Sequence, residues 1–555
     1  MDTIDYQKVE FPYARPAELD ETHRRRHPVV VVGAGPIGLS LALDLAQQQV
    51  PVLLLDDDYR LSTGSRAICF AKRTLDIWDR LGVGQRMMDK GVSWNVGKVF
   101  FRDEEIWSFD LLPEPGHRRP AFINLQQYYV EGYLQEAVAQ VAGIDLRWRH
   151  QVADVKADDD GVVVTVQTPD GLFELEADYL IACDGARSPV RKMLGEESHG
   201  RTFRDRFLIA DVKMAADFPS ERWFWFDPPF HPNQSVLLHR QPDDVWRVDF
   251  QLGWDADPQE EVKPERVLPR LRALFGEKAE FSLEWVSIYT FSCLRMDNFR
   301  HGRILFAGDS AHGVSPFGAR GANSGVQDTD NLAWKLALVL QGQAPDALLD
   351  TYATEREYAA DENILNSTRA TDFITPKSEI SRLFRNTVLK LAKHHAFART
   401  LVNSGRLSVP ATLHDSALNT ADTADFEGKM VPGAVAVDAP VQGDTGPWLL
   451  GYLGQQFTLL QFLAPGQRPT TAAALGWPAR IALRVVGVLP AGSAPHDGCV
   501  IDTQGLAFQR YDAQAGTTYL LRPDQHVAAR WRQTDAGQVR DALHRALAHV
   551  SEVSA

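Results

Sequence analysis

Hydrophobic and polar positions alternate with two different periods along this chain, and each change of period predicts a new element. Near the beginning, the apolar run Val29–Val32 is followed by a glycine-rich turn and then by Ile37, Leu41 and Leu45 at helical spacing. A second apolar run, Val52–Leu55, comes after the helical stretch. The pattern therefore predicts a strand–helix–strand unit here.

The period changes to two in the middle of the chain. Valines alternate with polar residues over about 145–182, which predicts a β-meander, and residues 201–292 are predicted to be mainly strands separated by Pro, Asn and Asp turns. Ile304–Ala307 then has the pattern of a buried strand, followed by a glycine-rich turn and a long helix around Asn323–Leu340. Because this pattern returns to that of the first unit, we expect the first domain to be discontinuous.

The last third of the chain predicts a helical connector over 378–405, a turn-rich stretch near 428–443 and a further α/β unit. The predicted elements of that unit are strands over Phe457–Phe462, Arg480–Val488, Tyr519–Leu521 and Val527–Trp531, and a final helix from Gln538 to about Val550.

Composition excludes several classes of partner. The 555 residues include 73 acidic and 58 basic side chains, a net charge of −15, so we expect no general attraction to nucleic acid or to anionic membranes. The N-terminus has no apolar leader, and there is no long uncharged apolar span. We therefore expect a cytoplasmic protein.

The metal-binding side chains give no cluster. The four cysteines, Cys69, Cys183, Cys293 and Cys499, are too dispersed for a CxxC pair or a zinc site. His394 and His395 are adjacent but lack the spaced acids and histidines of a metal site. No metal is predicted, and the cysteines are expected to be reduced thiols.

The first chemical motif is the GAGPIG segment between the first strand and helix. Gly33 permits the tight turn, Gly35 lets a pyrophosphate approach the backbone, and Gly38 allows close helix packing. Asp56 ends the second strand about 18 residues beyond Gly38, close to the roughly 20 typical of a ribose-binding carboxylate. These features together predict nucleotide binding, and the alternative is a glycine turn in an unrelated βαβ unit.

The second motif, DGARSPVR at 184–191, follows a predicted strand. Asp184 can accept hydrogen bonds from hydroxyls or backbone amides, and the arginines Arg187 and Arg191 can balance phosphate charge. The alternative is a capped turn with surface arginines.

The third motif, GDSAH at 308–312, places Asp309 directly after a strand, where a carboxylate can accept hydrogen bonds from a polyol such as ribitol. The segment PFGARGAN at 316–323 then leads into the long helix, whose free backbone amides and positive dipole suit a flavin ring.

With these three motifs in order, the chain resembles the class A FAD-dependent aromatic monooxygenases, typified by para-hydroxybenzoate hydroxylase, over roughly residues 28–375. Within that family it most resembles the 3-(3-hydroxyphenyl)propionate or phenol hydroxylase-like branch. Carried over by position, the resemblance implies FAD-binding roles for Gly33, Gly35, Pro36, Ile37, Gly38, Asp56, Arg66, Gln127, Asp184, Arg191, Asp309, Pro316, Gly321, Ala322 and Asn323.

Two alternatives stay open within this set. Gln126 replaces Gln127 if the register slips by one residue. Many relatives carry Gly-Gly-Gln-Gly where this chain has Gly318-Ala319-Arg320-Gly321, so Arg320 either adds positive charge beside the flavin or points to solvent.

The resemblance also implies the architecture, an α/β fold in which a Rossmann-like FAD-binding domain is interleaved with a β-rich substrate domain. The last 125 residues or so resemble the thioredoxin-like appendage of larger aromatic hydroxylases, but they lack a CxxC and so predict packing or assembly rather than thiol chemistry. The predicted regions are an N-terminal arm (1–27), a discontinuous FAD-binding domain (28–200 and 293–375), the substrate domain (201–292), a helical connector (376–427) and the thioredoxin-like domain (428–555).

The reaction implied by the resemblance uses NADPH or NADH to reduce FAD, and O2 to form a C4a-hydroperoxide that hydroxylates a small phenolic or aryl-acid substrate in aromatic catabolism. The candidate catalytic residues of the β-rich segment are aromatic or polar: Trp225, His239, Arg247 and Tyr289. The alternatives are a natural-product tailoring hydroxylase, such as a polyketide hydroxylase, and a non-catalytic flavin-binding regulatory protein. A homodimer is left open.

Overall fold

The computed structural model describes residues 4–64, 66–216, 218–402 and 407–549. The described residues up to 193 contain eleven strands: β1 (Arg26–Val32), β2 (Val52–Asp56), β3 (Cys69–Ala71), β4 (Val92–Trp94), β5 (Val96–Phe101), β6 (Glu104–Asp110), β7 (Phe122–Asn124), β8 (Ile144–Trp148), β9 (Gln151–Ala157), β10 (Val162–Thr168) and β11 (Gly171–Ala182). Their α-helices are α1 (Pro36–Gln47), α2 (Lys72–Arg80), α3 (Gly84–Lys90), α4 (Gln127–Ala139) and α5 (Pro189–Met193).

The middle segment contains long strands and then long helices. Its strands are β12 (Ser198–Lys213), β13 (Arg222–Phe226), β14 (Ser235–Arg240), β15 (Val245–Leu252), β16 (Ser282–Met296), β17 (Arg300–His301), β18 (Ile304–Phe306) and β19 (His312–Gly313). Its helices are α6 (Pro258–Glu261), α7 (Pro264–Phe275), α8 (Gly321–Leu340), α9 (Leu348–Ile374), α10 (Glu379–Ala392) and α11 (Ala396–Leu401).

The C-terminal segment is a smaller α/β unit. Its strands are β20 (Val441–Gln442), β21 (Phe457–Phe462), β22 (Leu483–Pro490), β23 (Cys499–Asp502), β24 (Thr518–Leu521) and β25 (Val527–Trp531), and its helices are α12 (Leu506–Arg510) and α13 (Ala536–Ala546). Short 3-10 turns lie at Tyr6–Lys8, Ala17–Leu19, Gly308–Ser310 and Leu449–Tyr452.

The first sheet joins strands that are far apart in the sequence. Its strand order is β17-β18-β11-β1-β2-β8, with the β9-β10 hairpin pairing onto β11, and β1 lies parallel to both β2 and β11. The apolar runs of β1 and β2 are fully buried because helices cover parallel sheets on both faces. The predicted βαβ unit, the β-meander and the return of the chain at β18 are all present.

The second sheet has the order β19-β16-β12-β15-β14-β13-β5-β6. It takes in β5 and β6, a hairpin that the predicted boundaries assign to the FAD-binding domain, and β5 pairs in parallel with β13. Helices α6 and α7 interrupt the segment that was predicted to be mainly strands, and the apolar residues of α7 pack on one face of this sheet. The mixed α/β class is confirmed, while the domain boundaries stay a prediction.

The C-terminal sheet has the order β20-β23-β22-β21-β24-β25. Two predicted elements need correction. Strand β22 begins at Leu483 rather than at Arg480 because residues 478–481 form a turn, and α13 spans Ala536–Ala546 because Asp535 caps it through a capping box with Gln538. The predicted end of that helix, Val550, lies outside the described residues, and the thioredoxin-like assignment stays a prediction.

Within the described ranges, no helix combines the length and the apolar character needed to cross a bilayer.

Candidate active site

The GAGPIG turn is shaped by its own backbone. Gly33 has φ +103°, and a Cβ there would come within 2.5 Å of the Cys183 carbonyl oxygen, while a Cβ at Gly38 would collide with the Gly33 carbonyl. A Cβ at Gly35, by contrast, would meet nothing within 4 Å. Two glycines therefore serve the packing of the turn, and the third leaves the N-terminus of α1, which begins at Pro36, open to a ligand.

Asp56 is held at the end of β2 by two backbone amides. Its Oδ2 accepts a hydrogen bond from the Ala34 N–H (2.6 Å), and its Oδ1 accepts one from the Asp58 N–H (2.8 Å). Burial outweighs these bonds and raises the pKa of Asp56 to about 6. The carboxylate is therefore fixed beside the glycine turn, where a ribose hydroxyl could donate to it.

Gln127 supports the loop that carries Arg66. Its Oε1 accepts from the Ala67 N–H (3.0 Å), and its Nε2 donates to Oε1 of Glu131 (2.7 Å), whose other oxygen accepts from the Ser62 N–H (2.7 Å). Arg66 itself is exposed. Gln127 is thus a positioning residue for this loop, and Glu131, whose role the sequence did not indicate, completes the same chain of hydrogen bonds.

Gln126, the residue that a one-step slip of register would select, is buried at the N-terminal end of α4. Its Nε2 donates to the Pro242 carbonyl (3.4 Å), and its Oε1 has no partner among the described residues. The side chain therefore faces the second sheet rather than the loop that Gln127 holds.

In the second motif, the two carboxylate oxygens of Asp184 differ in their hydrogen bonding. Its Oδ2 accepts from the Val190 N–H (3.0 Å), whereas Oδ1 is buried with no hydrogen-bond partner in the described part of the chain. Burial raises the pKa of Asp184. An unsatisfied buried acceptor is costly, so Oδ1 is suited to a ligand donor such as a hydroxyl.

Arg191 connects the second motif to the third. Its guanidinium donates to the Ser310 carbonyl (2.6 Å) and to the Ala186 carbonyl (2.7 Å). Both acceptors are uncharged backbone carbonyl oxygens rather than phosphate oxygens. Arg191 therefore fixes the relative position of two motifs that are distant in sequence.

Asp309 is exposed and lies within electrostatic reach of Tyr289 on the second sheet, so it lines the cleft between the two large sheets. The surrounding protein nevertheless raises the pKa of this carboxyl group through desolvation. A Cβ built at Gly321, the first residue of α8, would lie 4.0 Å from Asp309 Oδ1. The predicted ribitol acceptor and the predicted flavin-facing helix terminus therefore meet at one point.

A buried ion cluster behind Asp309 was not found from the sequence. Asp328 accepts from His312 Nε2 (2.7 Å), from Arg356 Nε (2.6 Å) and from the Gly308 N–H (2.9 Å). Burial opposes ionisation of Asp328, but His312 and Arg356 outweigh it and lower the pKa. The one signal in the sequence is the acidic Asp328 on the inner face of the predicted long helix. The sequence does not show that Arg356 of α9 is its partner.

The loop before α8 has two residues with positive φ, Gly318 (+136°) and Ala319 (+52°). Pro316 is exposed at its start. Arg320 is buried and donates to Oδ1 of Asn363 (3.0 Å), which excludes the solvent-facing alternative. The hydrogen bond from Arg320 to Asn363 therefore holds this loop against α9.

Asn323 uses its whole side-chain amide within the protein. Its Oδ1 accepts from the Ala71 N–H and the Thr74 hydroxyl, both at 2.7 Å, and its Nδ2 donates to the Cys69 (2.9 Å) and Ala319 (2.6 Å) carbonyls. Only the backbone N–H groups at the start of α8, those of Gly321, Ala322 and Asn323, are left to face a ligand.

The second sheet presents a polar face to this cleft. Arg247 donates to Asp249 Oδ1 (2.9 Å) and to the Arg66 carbonyl (3.1 Å), which joins the sheet to the loop of the first domain. Tyr289 is 43% exposed, and burial and Asp309 raise its pKa. Two predicted catalytic residues, Arg247 and Tyr289, thus lie near two predicted cofactor residues.

His239 lies opposite Arg247 on the neighbouring strand and is buried. Its Nδ1 is 3.9 Å from Cys69 Sγ, and its Nε2 is 3.9 Å from Asp249 Oδ2. Burial and the charges of Arg222 and Arg247 hold its pKa well below the usual range for histidine. His239 is therefore a neutral imidazole at neutral pH and a weak base.

Trp225 does not join this group, because it points to the opposite face of the sheet. It stacks on Phe100 (5.1 Å between ring centroids), contacts Phe230 and packs in the core under α7. On the cleft side, the alternate residues of β13, Arg222, Phe224 and Phe226, line an apolar pocket instead. Trp225, a predicted catalytic residue, therefore lies on the face of the sheet that points away from the cleft.

Comparison with known proteins agrees with this geometry. Residues 26–367, more than half of the chain, match the family described as FAD binding domain, and residues 449–546 match the HcaD C-terminal domain. The chain belongs to the FAD-binding domain family. The FAD cofactor and the resemblance to FAD-dependent aromatic monooxygenases are thereby confirmed.

Several relatives have names that describe hydroxylases. The chain is 29% identical over 65% of its length to a 3-(3-hydroxy-phenyl)propionate/3-hydroxycinnamic acid hydroxylase of Mycolicibacterium smegmatis, and 33% identical over 60% to a probable NADH-specific resorcinol 4-hydroxylase of Rhodococcus jostii. These matches span 64% and 63% of the two relatives' own length. A flavin-dependent monooxygenase of Mycobacteroides abscessus matches at 29% over 92% of this chain and 98% of its own.

Two solved structures share the fold over almost the whole chain. The flavin-dependent monooxygenase PieE in complex with FAD and substrate has a TM-score of 0.78 at 22% identity, over 95% of this chain and 99% of its own. Aklavinone-11 hydroxylase with FAD and aklavinone has a TM-score of 0.75 at 25% identity, over 95% and 100%.

The residues of this FAD-family member fit the cofactor in three places. The open side of Gly35 leaves room for a pyrophosphate, the unpaired Oδ1 of Asp184 can take a hydroxyl donor, and the accessible carboxyl group of Asp309 faces the start of α8. The nucleotide half of the predicted site therefore has the shape and the donor–acceptor set that FAD requires.

Proposed function

We propose that this chain is a single-component monooxygenase that uses FAD, NADH or NADPH, and O2 to hydroxylate a small phenolic or aryl-acid substrate. The observation that carries the proposal is the meeting of Asp309 and the start of α8 with the Tyr289–Arg247 face of the second sheet across one cleft. When bound, FAD supplies electron transfer from the nicotinamide to O2 and transfer of one oxygen atom to the ring.

The chain's own residues bind, orient and shield in this proposal. Asp56 and Asp184 hold hydroxyls of the nucleotide part, and Asp309 with the first amides of α8 orients the flavin. The aromatic rings of Phe224, Phe226 and the loop residue Phe317 line the pocket and exclude water from the reacting ring.

His239 and Tyr289 differ in what they can do to a phenolic substrate. His239 is too weakly basic at neutral pH to deprotonate a phenol, because its pKa is far below its usual value. Tyr289 is accessible from the cleft and can exchange hydrogen bonds with a phenolic hydroxyl group, so we propose it as the orienting residue.

A tailoring hydroxylase for large polycyclic substrates is the second candidate. It is supported by 32% identity over 62% of the chain to a 12-dehydrotetracycline 5-monooxygenase/anhydrotetracycline 6-monooxygenase of Streptomyces rimosus. The pocket, however, is crowded by Phe109, Phe224, Phe226 and Phe317, which favours a single ring.

We also propose that the protein acts in the cytoplasm, since NAD(P)H is available there and the four cysteines are free. A homodimer stays a prediction.

The test is aerobic oxidation of NADH and of NADPH by the FAD-loaded protein, across hydroxylated aryl acids, neutral phenols and polycyclic phenols. We expect single-ring substrates to stimulate oxidation and to yield a product heavier by one oxygen atom, which carries the label when isotope-labelled O2 is used. Product from polycyclic phenols alone would favour the tailoring reaction. Bound flavin that neither nucleotide reduces would contradict the proposal and favour a non-catalytic flavin protein.

A further inference from the structure

Arg222, the first residue of β13, is a buried cation that has no hydrogen-bond partner within the described part of the chain. Its residue is 7% exposed, and its guanidinium has no acceptor among the residues that the structure describes. A guanidinium carries five N–H donors and keeps its charge at all physiological pH values. A buried charge of this kind is strongly unfavourable unless an anion pairs with it.

The protein groups around Arg222 do not supply that anion. Asp249 is the carboxylate within electrostatic reach, but its Oδ1 already accepts from Arg247 Nε (2.9 Å). The Cys69 thiol is neutral, because burial raises its pKa to about 11, and His239 is a neutral imidazole. The missing partner must therefore come from outside this set of side chains.

Arg222 lines the same pocket as the aromatic residues of the proposed substrate site. The walls are mainly apolar and include Phe109, Phe224 and Phe226, with Phe317 of the loop that precedes α8. The other cation of the lining, Lys98, lies 3.3 Å from a carboxylate oxygen of Glu221. The pocket thus combines surfaces for an aromatic ring with one uncompensated positive charge.

We propose that Arg222 binds a carboxylate group of the aromatic substrate, so that the substrate is an aryl acid rather than a neutral phenol. This inference rests on the proposed function and narrows its substrate class. A carboxylate offers two oxygens that match the planar guanidinium fork, whereas a phenol or phenolate offers one.

Binding of matched ligands to the FAD-loaded protein tests the proposal without turnover. The probes are 3-(3-hydroxyphenyl)propionate and its primary amide, titrated while the flavin absorbance and fluorescence are recorded. We expect the acid to bind at least about tenfold more tightly than the amide. Arg222→Gln should raise the Kd of the acid about 10- to 100-fold and that of the amide less than about threefold, and Arg222→Lys should recover part of the loss.

Two control variants separate charge from packing. Phe224→Leu removes ring contact in the same pocket and should weaken acid and amide by the same factor. Arg102→Gln removes an exposed arginine that pairs with Asp227 outside the pocket and should change neither Kd. Flavin content and melting temperature confirm that each variant is folded. Should Arg222→Gln not fold, the preference for acid over amide in Arg222→Lys and in the parent protein decides.

The results that would contradict the carboxylate assignment differ from those that would contradict the proposed function. An equal loss for both ligands in Arg222→Gln would mean that Arg222 pairs with the phenol oxygen they share, and it would overturn the carboxylate assignment. Equal binding of acid and amide to the parent protein would overturn it as well. Hydroxylation of neutral phenols without acid binding overturns this assignment alone, whereas failure of NADH and NADPH to reduce the flavin overturns the proposed function also.

Discussion

Arg522 of the C-terminal unit and Glu355 of α9 form a buried ion pair with two parallel hydrogen bonds. Arg522 Nη1 donates to Oε1 (2.6 Å) and Nη2 to Oε2 (3.0 Å), and Glu355 also accepts from Lys335 Nζ (2.8 Å). Burial opposes ionisation of Glu355, but the two cations outweigh it and hold its pKa far below the usual value. The C-terminal unit is therefore joined to the FAD-binding part by a desolvated charge pair rather than by a flexible tether.

Arg522→Met should destabilise the whole chain by about 3 to 5 kcal/mol, because it leaves the carboxylates of Glu355 and Asp524 buried without their main cation. Urea unfolding monitored by tryptophan fluorescence measures this change. Arg545→Met, an exposed position on α13, should stay within about 0.5 kcal/mol of the parent protein. Equal stability of the two variants would contradict the proposed importance of the pair.

Affinity for FAD should fall as the pH drops through about 6. Burial raises the pKa of Asp56 to about 6, and a ribose hydroxyl that donates to its carboxylate favours the ionised form. Binding is thus strongest above this pKa and weakens by up to about tenfold per pH unit below it.

The Kd for FAD measured by flavin fluorescence between pH 5 and 8 checks the sign. Asp56→Asn should flatten this part of the pH dependence, whereas Asp57→Asn, at the exposed neighbouring position, should retain it. A parent-like slope in Asp56→Asn would show that another group is responsible.

Two glycines of the same turn should respond in opposite ways. Gly35→Ala adds a Cβ to open space at φ −75°, so the stability of the FAD-free protein should change by less than about 0.5 kcal/mol while FAD binds more weakly. Gly38→Ala forces a collision with the Gly33 carbonyl and should cost at least about 1 to 3 kcal/mol. Melting temperature and Kd for FAD, measured on both variants, separate the two effects; a tolerated Gly38→Ala would be inconsistent with the packing described.

His239 should make the fold sensitive to mild acid. Its pKa is held well below 6.5 in the folded chain, so the unfolded chain binds more protons below that pH, and stability is lost at up to about 1.4 kcal/mol per pH unit as the pH falls. The decrease in melting temperature from pH 7.5 to 5.5 should be smaller in His239→Gln than in the parent. An unchanged decrease would mean that other buried histidines dominate.

The sequence predicted the local geometry of the glycine turn and of Asp56 because the constraints on them are local. The turn at Gly33 and the position of Asp56 follow from residues within one βαβ unit, and the structure places both as expected. Long-range use of side chains was not visible in the same way. Arg191 and Asn323 match cofactor motifs, yet their side chains are occupied by backbone groups of segments distant in sequence.

The substrate half was less predictable because both faces of the second sheet are covered. Strand alternation puts Trp225 and Arg222 on opposite faces, but it does not say which face meets the cleft. The parallel pairing of β5 with β13 is also non-local, so no local pattern indicates that residues 96–110 belong to this sheet. Arg222 was missed for that reason.

The path of the chain between the two large sheets limits how the cleft can open. The backbone passes from the three-stranded sheet β3-β7-β4 to the second sheet between β4 and β5 and returns between β6 and β7; it also crosses between the first and second sheets from β11 to β12, from β16 to β17 and from β18 to β19. A rigid hinge needs only a few bending points, whereas rotation of the second sheet would have to bend all of these connections together. Substrate entry and product release are therefore expected to depend on movement of short loops at the rim, with the two sheets staying in a fixed relative orientation.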